Sequence, residues 1–190
     1  MKLFPLLFSL AAVVGLSGCA TLPPLNFNPP NVGLSAKRLD AELRSTVVTV
    51  ARPDEKKGEL KFSLQYSQTI PDLWKTGVTD ALNRFLIFRD DGGKKLNLNI
   101  KILQWDTPSF GTSMTTETTA RYELVDRNDG TIYYSAEIAS KGEVPFNYAF
   151  VGMVRALESA NRAVQNNISL FLQQLETVDL SKPMFPGRKQ

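Results

Sequence analysis

Histidine is absent from this chain, and cysteine occurs once, at Cys19. Those two shortages exclude histidine-based triads and acid–base pairs, the usual zinc sites, an internal disulfide and iron–sulfur ligation by several thiolates. Charge of one sign is not in excess either: 22 basic residues stand against 19 acidic ones, for a net +3. A pI near 9.0 at so small a net charge, with no strong basic run, is not the footprint of a nucleic-acid binder. Long apolar runs are lacking as well. The longest lies at the amino terminus and is about a dozen residues, too short to cross a ~30 Å hydrocarbon core. What remains is a globular composition, 43% hydrophobic, 22% charged and 9% aromatic over 190 residues, which suits one domain with appendages.

The amino-terminal run is nevertheless informative. Met1-Lys2 is a short positive start, and Leu3 to Leu16 is apolar except for Pro5, Ser9 and Gly15. Leu16-Ser17-Gly18-Cys19 follows at once. This is the layout of a secretory signal, and the four residues resemble the lipobox of bacterial lipoproteins. The resemblance implies a leader over residues 1–18, cleavage before Cys19 and acylation of that cysteine with palmitate-type chains, so that the lone thiol is an anchor in the lipid bilayer. At ~0.8 kcal/mol per buried CH₂, several chains make attachment stable. Ala20 stands where inner-membrane lipoproteins of enteric bacteria often carry Asp. The analogy implies a cell-envelope protein on the outer membrane, facing the periplasm.

Residues 19–44 read as the acylated cysteine and a Pro/Asn-rich tether. Pro23, Pro24, Pro29 and Pro30 alternate with Asn26, Asn28 and Asn31 without periodicity. Such a stretch favours extended backbone and lacks the donors for a hydrogen-bond ladder. Leu25 and Phe27 are apolar side chains in it that can dock on a partner or on the domain.

A single domain is expected over residues 45–177. Thr46 to Val50 is a β-branched run that reads as a buried strand. Leu60, Phe62 and Leu64 alternate with polar residues in a second extended piece. Pro71 opens a helix in which Trp74, Val78, Ala81, Leu82 and Phe85 form one apolar stripe, with Asp72 favourable at its amino-terminal end. Leu96–Ile102, Thr118–Val125 and Ile132–Ala139 each alternate, and the Asp129-Gly130 pair marks a hairpin between the last two. Met153, Leu157, Ala160, Val164, Ile168, Phe171 and Leu175 then fall on one face of a long helix. Residues 178–190, with Pro183, Pro186 and Gly187, read as a flexible tail. The fold class is α+β: strand, helix, three strands, helix, with two helices on one face of a mostly antiparallel sheet of about four strands.

This layout behind a lipobox is similar to the YajG-like lipoproteins and to the accessory lipoproteins of ABC-type lipid transport, the PqiC-like group. The resemblance is carried by Val47-Val48-Thr49-Val50, by Leu82 to Phe88, and by Leu96-Asn97-Leu98-Asn99-Ile100-Lys101-Ile102. Tyr122-Glu123-Leu124-Val125-Asp126 with Gly130, and Phe171-Leu172-Gln173-Gln174-Leu175, complete it. It implies no catalytic residues.

The residues themselves agree. Asp90-Asp91-Gly92-Gly93 lacks the ligand spacing of a calcium loop, and Asp126, Asn128 and Asp129 are accounted for by the hairpin. Ser109, Thr112 and Ser113 have no histidine to activate them, and no Ser-x-x-Lys occurs after the leader. Gly111 belongs to no phosphate-cradling pattern. No enzyme activity, metal or cofactor is expected. Trp105, Phe110 and Tyr133 are the candidates for a partner surface, and the other reading of Trp105 is that it caps the core at the end of its strand. The leading expectation is an accessory or scaffold lipoprotein for an envelope protein complex, with no nucleic-acid partner. The alternative is a lipid- or hydrophobic-ligand-binding module, with an acyl chain held between the long helix and the sheet, near Met153, Leu157 and Phe85. A cavity of ~300 Å³ or more there favours the alternative.

Overall fold

The computed structural model of the chain describes residues 22–61 and 69–187. The lipobox Leu16, Ser17, Gly18 and Cys19, and the expected strand residues Phe62 and Leu64, lie outside them.

Four strands form one sheet in the order β1 (Ala41–Val50), β2 (Lys94–Asp106), β3 (Met114–Asp126), β4 (Ile132–Val144). β1 runs parallel to β2, with α1 (Thr69–Phe85) between them in sequence, and the other two pairings are antiparallel. The second helix, α2 (Gly152–Leu175), follows a short 3-10 turn at Phe146–Tyr148. The α+β class and the element order therefore stand as the alternation indicated.

One face of the sheet is covered by both helices. Leu96, Leu98, Ile100 and Ile102 of β2, and Ala120, Tyr122 and Leu124 of β3, meet Trp74, Val78, Ala81, Val164, Ile168 and Phe171 in a single core. The other face carries cross-strand polar pairs such as Arg121–Glu137 at 2.7 Å and Lys141–Glu117 at 2.6 Å. Such solvated pairs contribute little to stability. Within the core, a hydrogen-bonded chain crosses four elements. Trp74 Nε1–H donates to the Tyr122 hydroxyl at 3.1 Å, and that hydroxyl donates to Asn167 Oδ1 at 2.8 Å. Asn167 Nδ2 donates in turn to the Ile138 carbonyl and to Ser140 Oγ, at 2.8 and 3.0 Å. Burial pushes the Tyr122 phenol far above its ordinary range, so it stays a neutral donor.

The structure corrects the expected tether. From Leu22 onward the segment is a strap bonded to both helices. Phe27 is 1% exposed and packs against Trp74 and Trp105, with ring centroids at 6.3 and 5.9 Å. The Asn26 amide donates to Asn161 of α2, while Asn28 Nδ2 donates to Asp80 of α1 and Arg84 of α1 donates to the Pro29 carbonyl. The strap reaches β1 through the Ser35 and Leu39 amides, which donate to the Phe85 and Ile87 carbonyls. A proline-rich stretch cannot make a ladder, but side chains and main-chain carbonyls of neighbouring elements pair with its polar groups one by one.

Gly77 makes this docking possible, since a Cβ there would lie 2.8 Å from the Phe27 carbonyl oxygen and 2.9 Å from its carbon. Gly77→Ala is expected to lower the unfolding free energy by about 1–3 kcal/mol, the usual cost of overpacking. Urea denaturation checks the loss, and faster hydrogen exchange confined to the Asn26 and Asn28 amides locates it. An unchanged midpoint would mean that the strap contributes nothing.

The carboxy-terminal tail is also corrected. Val178 is in the core, and Phe185 pairs with Ile132 through two backbone hydrogen bonds of 2.9 and 3.1 Å. The Gly187 amide donates to Thr131 Oγ1 at 3.0 Å. The β-branched run of β1 is not a central buried strand. It forms the sheet's edge, with Val47 47% exposed and no strand of the described residues paired along its far side. Met153, expected at the start of the α2 stripe, is 53% exposed, and the buried stripe begins at Leu157.

Candidate functional site

All four strands and both helices run between two ends of the domain, and their directions define what meets at each. One end gathers the start of β1, the end of α1, the β3–β4 hairpin and the end of α2. The other gathers the end of β2, the connection at residues 107–113, the end of β4 and the start of both helices. The strap begins at this second end, where Leu22 and Leu25 help line a groove of about 700 Å³.

Apolar side chains from distant parts of the sequence form its walls. Ile70 comes from α1, Trp105 from β2, Met114 from β3, and Met153, Leu157 and Ala160 from α2. The space exists because the facing side chains there are small or short. Ala156 and Ala160 line the groove from the helix, and β3 presents Thr116 and Thr118 to the interior ahead of Tyr122. Thr116 Oγ1 is satisfied by Ser159 Oγ at 2.7 Å and Thr107 Oγ1 at 3.1 Å.

Arg155 holds the rim together. Its side chain is buried although it carries a charge at the start of α2, where the helix dipole is unfavourable to a cation. The compensation comes from main-chain acceptors: Nη1 donates to the Ala149 and Phe150 carbonyls at 2.6 and 3.0 Å, and Nη2 to the Gly111 carbonyl at 3.0 Å. Phe146 lies against the guanidinium, 4.9 Å from ring centroid to Cζ. One side chain thus clamps the 107–113 connection to the segment that precedes α2.

Of the three residues expected on a partner surface, only Phe110 is exposed, at 87%, and it lines the groove mouth. Trp105 is buried in the aromatic cluster with Phe27 and Trp74. A register shift between Ile102 and Gln104 is the cause: the extra residue, Leu103, returns Trp105 to the core side of β2. Tyr133 is buried too, because a shift between Leu124 and Val125 makes Tyr133 the extra residue of β4. It joins Tyr134 in the core rather than lying across the sheet from it, and Lys94 Nζ sits 4.8 Å from the centre of its ring.

The acidic turns are occupied by local contacts. The Arg89 guanidinium bonds Asp91 at 3.1 and 3.2 Å and holds its carboxyl below the ordinary range. Asp126 and Asp129 accept the Asn128 and Thr131 amides, each at 2.9 Å. Among the described residues no three carboxylate, cysteine or histidine side chains come together in a way that would hold a metal ion. Ser109, Thr112 and Ser113 sit in the 107–113 connection, where Ser109 alone of the three lines the groove, and no helix of the described residues is long and apolar enough to cross a membrane.

No protein-family model matches the chain, and no curated protein matches it. Its structure is similar to that of a Xanthomonas campestris protein of the DUF330 family, at 10% identity and a TM-score of 0.50, covering 83% of this chain and 98% of the other. A minor lipoprotein from Acinetobacter baumannii aligns at 9% identity and a TM-score of 0.41, over 79% of this chain and 99% of its own. Lipoprotein GNA1162 from Neisseria meningitidis aligns at 12% identity and a TM-score of 0.35, over 70% and 99%. The likeness to the Xanthomonas protein shows a shared fold.

Proposed function

We propose that the chain is a non-enzymatic lipoprotein of the bacterial envelope, anchored through acylated Cys19, whose folded domain holds one apolar chain of a lipid or similar hydrophobic ligand. The observation that carries the binding role is the groove. At about 700 Å³ it has the size of small-molecule sites, and its walls are mainly apolar, with Lys61, Thr107, Ser109 and Arg155 as the polar side chains among them. The anchor rests on Leu16-Ser17-Gly18-Cys19 behind a charged start and an apolar run. Ala20 after the cysteine supports placement on the outer membrane with the domain in the periplasm.

The accessory role in an envelope complex is compatible with this reading: a tethered domain that carries a lipid acts beside whatever supplies or receives it. A YajG-like or PqiC-like assignment belongs to the same reading and rests on the matching order of elements. Binding rather than catalysis is supported by the groove's side chains, whose hydroxyls lie in a chain without histidine.

The core closes within residues 22–187, so a form beginning at Ala20 and exported on a non-lipid leader keeps the whole fold. Titrated with a fluorescent fatty acid, this form is expected to bind saturably with one site per chain, and unlabelled long-chain fatty acid is expected to displace the probe. Binding that never saturates, or that begins only where the probe forms micelles, would contradict the groove's role.

A further inference from the structure

Large apolar side chains are exposed around the groove mouth. Phe110 and Phe150 are 87% and 91% exposed, and Phe146, Val151 and Met153 are each exposed by 44% or more. Single exposed apolar residues are ordinary on a protein surface, but these belong to one rim. Gly111 and Phe150 place their carbonyls on the same Arg155 guanidinium, which ties the two loop tips together. Phe110 and Met153 line the groove with Leu22.

The position of the chain's anchor says what covers this rim. Leu22 lies three residues after Cys19, and three residues extend at most about 10 Å. An acylated Cys19 therefore holds the groove end, and not the hairpin end, within that distance of the bilayer surface. The strap cannot lengthen this reach, because Phe27 is buried and Asn26 and Asn28 are bonded to the two helices.

We infer that the rim formed by Phe110, Phe146, Phe150, Val151 and Met153 seats on the lipid surface, so that the groove opens directly into the acyl layer. Phenylalanine rings on an exposed rim bury their apolar surface at the boundary between headgroups and acyl chains, and each ring that enters adds apolar burial to the anchor's own. Arg155 keeps the two loops from splaying as they insert. An acyl chain then passes between bilayer and groove without crossing water. The inference rests on the acyl anchor proposed above and goes beyond it by fixing which face of the domain meets the membrane.

The test uses the full acylated protein reconstituted in vesicles of phosphatidylethanolamine and phosphatidylglycerol, with part of the lipid brominated near the headgroup end of its acyl chains. Phe110→Trp supplies a fluorophore on the rim, and Phe185→Trp supplies one at the hairpin end. The wild-type emission of buried Trp74 and Trp105 is subtracted. The expected result is a blue-shifted emission for F110W, quenched at least twofold by the brominated lipid, with F185W unaffected. Equal quenching of the two variants, or none of either, on a protein whose intact mass shows the acyl chains would overturn the seated rim. A mass without acyl chains would overturn the anchor instead, and the orientation with it, so the two failures are told apart by the mass alone.

Discussion

Asn167→Leu is expected to destabilise the fold by about 3 kcal/mol or more. The leucine fills the space but leaves the Tyr122 hydroxyl and the Ile138 carbonyl without the partners that Asn167 gives them at 2.8 Å each. A buried polar group stripped of its partner costs roughly 1–3 kcal/mol. Against a total stability of about 5–15 kcal/mol, the loss lowers the melting temperature by roughly 6–12 °C for a chain of this size. Tyr122→Phe removes the middle of the same chain and strands Trp74 Nε1 and Asn167 Oδ1. The double variant is therefore expected to lose at least ~1 kcal/mol less than the two single losses added together, as members of one network do. Urea titrations of the four proteins check both points, and strict additivity would show that the chain does not act as a unit.

Ala156→Trp has the opposite profile. Ala156 lines the groove and is only partly buried, so an indole there projects into empty space rather than into packed core. Stability is expected to change by less than about 1 kcal/mol, whereas affinity for an apolar chain falls at least tenfold, a difference of about 1.4 kcal/mol or more in binding free energy. The probe titration described for the form beginning at Ala20 measures the affinity, and thermal denaturation of the same sample measures the fold. Unchanged affinity in a folded A156W protein would move the ligand elsewhere.

These two substitutions mark what the sequence made legible and what it did not. The α1 stripe from Trp74 to Phe85 and the alternation of β2, β3 and β4 are local periodic signals, and the sheet and helices form where they indicate. Asn167 gave no such signal: a polar residue among the apolar positions of α2 has meaning only once Tyr122 and Ile138 are opposite it. The strap was missed for a related reason. Prolines and asparagines without a period describe an extended backbone, but only the tertiary structure shows that Gly77 leaves room for it against α1.

Bulges account for the misplaced aromatics. Alternation is a rule of two, and one extra residue, Leu103 in β2 and Tyr133 in β4, reverses every face that follows. Tyr133 thereby passes from a supposed surface into the core, and Trp105 takes the core-capping place that was its other reading. The groove was the least legible feature, because its walls come from the strap, α1, β2, β3 and α2 together. Phe110, Met153 and Leu157 are legible as single residues, an aromatic in a polar connection and the first apolar positions of α2, whereas Phe85, expected beside them, does not line the groove.

The central claim is that the groove holds an apolar chain in the cell, and photo-crosslinking tests it most directly. Cells making the form without Cys19 are fed a fatty acid bearing a photoreactive group, irradiated, and the modified peptides of the purified protein are sequenced. Omitting Cys19 removes the anchor's own chains from the measurement. The account predicts modification concentrated on groove residues such as Trp105, Met153 and Leu157, and its loss in the A156W protein. Modification spread over the exposed surface, or undiminished by Ala156→Trp, would contradict it.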